Sequence, residues 1–332
     1  MAYEYTSIRT IVGEKLPYQL AWDPSILTTG MNPIGNGWSS RTARQWGTSS
    51  IQDIASPLGS KIWRRSLTSG GSAFCANVWS ALPQAEEKIE VLTLQRRSGS
   101  VDFGMGNISR MNLSGNVQGY FWGFRNNQTE VRGRRWVNGV EITTTTFFHS
   151  FGNPADRWFW IRSQSFDNVH KLRVWEYGTT EPLTWQIEYT DVHANASLLT
   201  SGYVGEGDFT AGGMTSDIAF VSAGFRGAPA PMSLAEVPLQ IFVSAVESDG
   251  ARYSMTGTLS DRGDIYAVAV LPYSGIPTYE QIIAGQNASG TFAKGTGSQF
   301  DTTAFNFYIE GVGLVDNPSH QLHAVARRLI TS

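Results

Sequence analysis

The sequence predicts an all-β protein made of a large β-sandwich or barrel followed by a small β-sandwich. Three observations carry this. Charged residues make up only 16% of the 332, while aromatics reach 12% and glycines number 35, a composition of strands and tight turns. Short runs whose residue types change every second position recur at spacings of about 8–15 residues, with no amphipathic helix pattern between them. All 11 tryptophans precede Gly224 and none follows it. Just after it, Pro229-Ala230-Pro231 reads as a stiff connector. The predicted organisation is an N-terminal arm or edge segment over 1–36, the large sandwich over 37–230 and the small one over 231–332.

In chain order, Tyr18–Trp22 reads as a strand, followed by a loop rich in Gly, Asn and Pro. Lys61–Arg64, Ala73–Ser80 and Glu87–Arg96 are strands. In the last of these Ile89 and Val91 share one face and Leu92 and Leu94 the other, as in a sheet covered on both sides. Further strands are expected at Val101–Met105, Gly119–Phe124, Arg135–Val140 and Ile142–Phe148. The central stretch supplies three more: Arg157–Arg162, then a polar turn at Phe166-Asp167-Asn168, Leu172–Tyr177, a Gly/Pro break, and Trp185–Thr190. Gly202–Gly205 and Asp217–Ser222 close the series. In the small domain, strands read at Val237–Val246, Arg252–Leu259, Gly263–Leu271, Thr302–Gly311 and Leu322–Leu329. One short helix is expected over Pro277–Gly285, with Thr278 as N-cap and Gly285 as its stop.

Bulk properties narrow the function. A net charge of -3 gives no reason to expect nucleic-acid or anionic-membrane partners. The basic pairs Arg64-Arg65 and Arg96-Arg97, and the group Arg132, Arg134 and Arg135, read as solvated strand ends or interface charges. The lone cysteine, Cys75, excludes an internal disulfide and a cysteine zinc site and is expected to be a small buried residue. The start of the chain lacks a secretory pattern, and no apolar run is long enough for a membrane-spanning helix. The expectation is synthesis in a cytosol without a removable address and no membrane insertion.

Several stretches carry a resemblance. Gly37-Trp38, Arg44-Gln45-Trp46, Asp156–Arg162, Leu172–Trp175, Glu181–Ile187, Gly202–Gly205 and Ala219–Gly224 resemble the concanavalin A-like (laminin G-like) jelly-roll domain of many bacteriophage and bacterial proteins. Asp264–Val270, Ile276–Gln286 and Leu322–Arg327 are similar to the fibronectin III or Ig-like modules appended to phage structural proteins. The pairing implies a non-enzymatic structural protein of a virion, a capsid decoration or tail/fibre component assembled in the host cytoplasm. Other virion proteins, capsid or tail, would be its partners, and it would form a homo-oligomer. Host-surface attachment is a further use. The alternative is a lectin-like receptor-binding module with a host surface glycan as partner. A polysaccharide depolymerase is a third reading.

Glycosidases on this fold set three carboxylates at alternate positions of one strand, two of them about 5–5.5 Å apart in retaining enzymes. No Glu-x-Asp-x-(x)-Glu pattern is present. Glu206-Gly207-Asp208 and Glu247-Ser248-Asp249 lack a third acid and read as turns. Glu86, Glu87 and Glu90 read as a solvated strand entry, and Asp156 and Asp191 as turn caps. Among the five histidines, His320 and His323 point to opposite faces of a strand. No calcium loop, phosphate loop or serine elbow occurs. No catalytic residue, cofactor or metal is expected. For a glycan, Trp122, Arg125, Asn126, Asn127, Arg135 and Trp136 offer stacking rings and polar partners on two neighbouring strands. The competing reading puts both tryptophans in the core.

Overall fold

The structure, a computed structural model, describes residues 2–10, 17–41, 47–67, 73–81, 86–98, 104–125, 130–192, 199–210, 214–234, 241–248, 252–270, 296–310 and 321–330. The expected helix at Pro277–Gly285, together with Arg44-Gln45-Trp46, Asn126, Asn127, His193, Asp249 and His320, lies outside them. The chain divides into two units: Gln19–Leu234, and a second that joins Met1–Tyr18 to Ala235–Ser332. The first strand, β1 (Ala2–Thr10), therefore belongs with the C-terminal residues rather than with an arm reaching to residue 36.

The large unit contains β2 (Tyr18–Trp22), β3 (Trp38–Ser40), β4 (Thr48–Gln52), β5 (Ile62–Leu67), β6 (Ala73–Trp79), β7 (Ile89–Ser98), β8 (Gly104–Met111) and β9 (Gly119–Arg125). It continues with β10 (Glu130–Val137), β11 (Val140–Phe148), β12 (Trp158–Phe166), β13 (Val169–Glu176), β14 (Ile187–Thr190), β15 (Tyr203–Thr210) and β16 (Met214–Phe225). One 3₁₀ turn, Pro24–Ile26, is capped by the Asp23 side chain. Among the described residues these strands form two antiparallel sheets. The seven-stranded sheet runs β11-β10-β9-β8-β15-β6-β3, and the eight-stranded sheet runs β14-β13-β12-β7-β16-β5-β4 with β2 also on β16.

Two tight turns set the register of the hairpins that start the β12 and β10 flank. Asp167, at φ 51°, lies in the two-residue loop that puts Phe166 opposite Val169. Asn138 and Gly139, at φ 52° and 81°, join β10 to β11 with Val137 opposite Val140. The sequence reading ran a strand through Arg135–Val140. The turn wins because Asn-Gly takes two successive positive φ angles at low cost, and that backbone matches the twist of a hairpin.

The sheets enclose an interior of three zones. On one flank Tyr120, Trp122, Phe124 and Val131 pack on Phe159, Ile161, Leu172 and Val174. On the other, Trp38 lies 5.4 Å from Trp22, 5.1 Å from Trp63 and 5.8 Å from Trp79 between ring centroids. Between them runs a polar spine supplied by the central strands. Asn107 of β8 donates to the carbonyls of Val91 (3.0 Å) and Ile161 (2.8 Å) across the sandwich. Thr93 donates to Asn107 at 2.6 Å, and Gln95 to the Gly106 carbonyl at 3.0 Å.

The second unit adds β17 (Ile241–Ser248), β18 (Arg252–Val270), β19 (Thr296–Glu310) and β20 (Gln321–Ile330). Its sheet runs β1-β20-β18-β17, with β19 also on β18. The two strands expected at Arg252–Leu259 and Gly263–Leu271 are one strand that changes partner. Its first half pairs with β17 and its last with β20, with register shifts against β19 on either side of Gly263.

Candidate functional site

The outer face of the eight-stranded sheet is built by alternation along its strands, displaced by one residue at a bulge between Ile218 and Phe220 of β16. On β7, Val91, Thr93, Gln95 and Arg97 face the interior, and Glu90, Leu92, Leu94 and Arg96 face out. Register then lines the outward residues into rows across the sheet. In the first row Arg64 stands opposite Asp217, Asp217 opposite Arg96, and Arg96 opposite Trp158. Strands lie about 4.8 Å apart, so the four side chains span roughly 15 Å. In the second row, Phe220, Leu94, Trp160 and Trp175 are buried and apolar. The third holds Ser222, Leu92, Arg162 and Arg173, and the fourth Gly224, Glu90, Gln164 and Lys171.

The third and fourth rows are partly covered. The connector around Pro229-Ala230-Pro231 lies on them as a strap rather than standing free. Arg162 donates to the Ala230 carbonyl at 2.9 Å and Ser222 to the Pro231 carbonyl at 2.6 Å. The Ala230 N–H donates to Glu90 at 3.0 Å, and Gln19 donates to the Pro229 carbonyl at 2.7 Å. Glu90 is closed off by Arg162 and Gln164 as well, so it is a buried anchor and not a solvated strand entry. Beyond the strap, Glu181 joins Arg162 and Arg173, and the Arg173 guanidinium sits 4.0 Å from the Trp185 ring centroid.

The first row is partly exposed, as are Lys171 and Arg173 further along the face. Arg64 holds Asp217 with both ends of its fork, Nε to Oδ1 at 2.7 Å and Nη2 to Oδ2 at 2.8 Å. Arg96 approaches Oδ2 from the other side, Nη2 at 2.7 Å and Nε at 3.1 Å. Hydrogen bonding to Asp217 holds the Arg64 pKa above its ordinary value. Asp217 is buried beneath the two guanidiniums, whose side chains are 26% and 24% exposed. The Arg96 guanidinium carbon lies 4.8 Å from the centroid of the half-buried Trp158 ring, a cation–π distance. The row therefore presents an aromatic ring, two cations and one neutralised carboxylate.

The residues expected to bind a glycan do not form one surface. Trp122 has no exposed surface. It stacks 5.3 Å from His170 in the interior, so it is core. Arg135 is also internal, donating to both oxygens of Asp191 at 3.0 and 2.9 Å. Trp136, one residue further, points out of the opposite face and stacks on Phe74 at 4.1 Å. Arg125 ends β9, with its side chain outside the described residues, and Asn126 lies outside them altogether.

Other expectations are corrected in the same way. Arg65 and Arg97 are fully buried, not solvated ends. Both reach Asp208, at 2.6 Å each, and Arg65 also bonds Glu206. Glu206-Gly207-Asp208 is no turn but the middle of β15, paired with β6 and β8. Its two carboxylates face the interior with no exposed surface. Asp191 is no turn cap: Tyr120 donates to it at 2.6 Å beside Arg135. Arg134 is buried against Glu141, while Arg132 keeps a partly exposed pair with Glu130. Among the described residues no group of three or more His, Cys, Asp or Glu is placed to hold a metal ion, and no helix is long and apolar enough to cross a membrane.

No protein-family model matches the chain, and no curated protein matches it. Solved structures similar to it include the carbohydrate-binding module CBM66 from Bacillus subtilis (11% identity, 55% of this chain and 94% of that one, TM-score 0.36). The VIP36 exoplasmic/lumenal domain in its Ca2+/Man2-bound form is similar over 67% of this chain and 92% of that one, at 10% identity and TM-score 0.41. A Bacillus subtilis protein of unknown function with a galectin-like fold is similar over 62% of this chain and 100% of that one, at 11% identity and TM-score 0.39. Likenesses of this size assign neither a family nor a ligand.

Proposed function

We propose that the large unit is a non-catalytic, lectin-like carbohydrate-binding module and that a glycan lies along the row Arg64–Asp217–Arg96–Trp158. One observation carries the reading: a partly exposed tryptophan stands in register with three hydrogen-bonding side chains on the outer sheet face. A pyranose has an apolar face for the ring and hydroxyls at its rim for the guanidiniums. In a glycan array the full chain should bind a defined subset of saccharides, and Trp158→Ala should weaken that binding roughly tenfold. Because Trp158 also packs on the buried cluster of Leu92, Leu94, Trp160 and Trp175, a melting curve establishes that the variant is folded. A folded wild-type chain that binds no saccharide removes the reading.

A second reading, a structural component of a phage virion in contact with other copies and other virion proteins, is supported by strand β11. It is the edge of its sheet, carries no charge from Ile142 to Phe148, and exposes Val140 at 63% and Phe148 at 69%. Exposed edges of this kind pair readily with further strands. Absence of the chain from purified particles would remove this reading. For the second unit we keep the Ig- or fibronectin III-like assignment, supported by its antiparallel strands.

A further inference from the structure

We propose that the ligand of the first row is an anionic saccharide, with a carboxylate or sulfate bridging Arg64 and Arg96 while the adjoining sugar ring stacks on Trp158; this rests on the carbohydrate reading of that row. Oδ2 of Asp217 accepts three N–H groups and Oδ1 one from the two guanidiniums, and the carboxylate is buried beneath them, out of a ligand's reach. The row thus offers a ligand no free carboxylate acceptor. What it offers is donors: the Nη1 groups of Arg64 and Arg96 make no hydrogen bond among the described residues. Two cations against one anion leave the row with one positive charge. A neutral glycan, whose hydroxyls donate as well as accept, would find donors here and no carboxylate within reach to accept from it. A carboxylate or sulfate only accepts, matches the planar fork of arginine, and neutralises the surplus charge.

Asp217 serves the site without touching the ligand. By gripping both arginines it fixes two long side chains that would otherwise lose rotamer freedom on binding. It is a positioning residue, and the guanidiniums are the contacts. The half-exposed setting also makes the attraction sensitive to salt.

The test uses the full chain and three polysaccharides in isothermal titration: polygalacturonate for carboxylate, dextran sulfate for sulfate, and dextran as the neutral arm. Binding to one or both anionic polymers, weakened by added salt, and none to dextran is the expected result. Arg64→Gln and Arg96→Gln should each reduce affinity by at least about tenfold. Arg64→Lys, which keeps the charge and loses the fork, should fall between wild type and Arg64→Gln. Arg132→Gln, on the other sheet, should bind as wild type does. Equal affinity for dextran overturns the anionic ligand and leaves the carbohydrate reading standing. An equal loss in Arg132→Gln also overturns it, because the attraction would then be diffuse. No binding to any polymer in the three, with none on the glycan array, overturns both readings. Melting curves of each variant separate loss of binding from loss of fold.

Discussion

Arg64 and Arg65 are neighbours in sequence and opposites in environment, as are Arg96 and Arg97. On a strand one of each pair must face out and the other in. The outward pair frames the proposed site, and the inward pair enters a fully buried ion cluster with Glu206 and Asp208. Burial, and after it the neighbouring Asp208 charge, raise the Glu206 pKa to about 7 against the opposing pull of Arg65. Burial depresses His170 to about 3, with Arg110 adding to the effect, and His149 to about 4, with Arg157 adding. A raised carboxyl contributes stability below its unfolded pKa of about 4.5 that is lost as pH rises to the folded value. A depressed histidine contributes stability above about 6.5 that is lost as pH falls. Between about pH 4.5 and 6.5 the two histidines therefore oppose Glu206. Melting temperatures measured across that window should show Glu206→Gln gaining on wild type as pH rises toward 7. A difference that stays constant with pH would contradict the raised pKa.

At the scale of elements, the strap and its sheet depend on one small residue. A Cβ added to Gly224 would lie 2.0 Å from the Ala228 carbonyl oxygen and 2.6 Å from the Pro229 carbonyl carbon, both backbone atoms. Gly224→Ala should therefore destabilise the large unit by about 1–3 kcal/mol in urea unfolding. A variant as stable as wild type would mean that the strap is not held against β16. Most strands were legible in the sequence because aromatic and β-branched alternation marks them directly, as in Trp158–Arg162 and Leu172–Trp175. The Asn138-Gly139 pair marks a turn in the sequence, but the apolar residues on either side of it, Trp136, Val137 and Val140, masked it. The site was not legible. Its four residues come from β5, β7, β12 and β16, and only the sheet order brings Arg64, Asp217, Arg96 and Trp158 together. Nothing local distinguishes Trp158, which is half-buried outside, from Trp122, which is fully buried inside.

At the scale of the molecule, the large unit is inserted between β1 and the remaining strands of the second unit. The chain divides between Leu234 and Ala235, and residue 2 and residue 330 are sheet partners, a long-range pairing that leaves no local mark in the sequence. Within the large unit the polar spine fills the centre of the interior with side-chain hydrogen bonds, and the proposed site lies on the outer face. The central claim is that a saccharide meets Trp158. It is tested most directly by titrating an acidic oligosaccharide into the chain labelled with 15N at tryptophan and following the indole N–H signals. The Trp158 signal should shift with saturation while those of Trp122 and Trp136 stay in place. A saturating shift at Trp136 with Trp158 unmoved would contradict it.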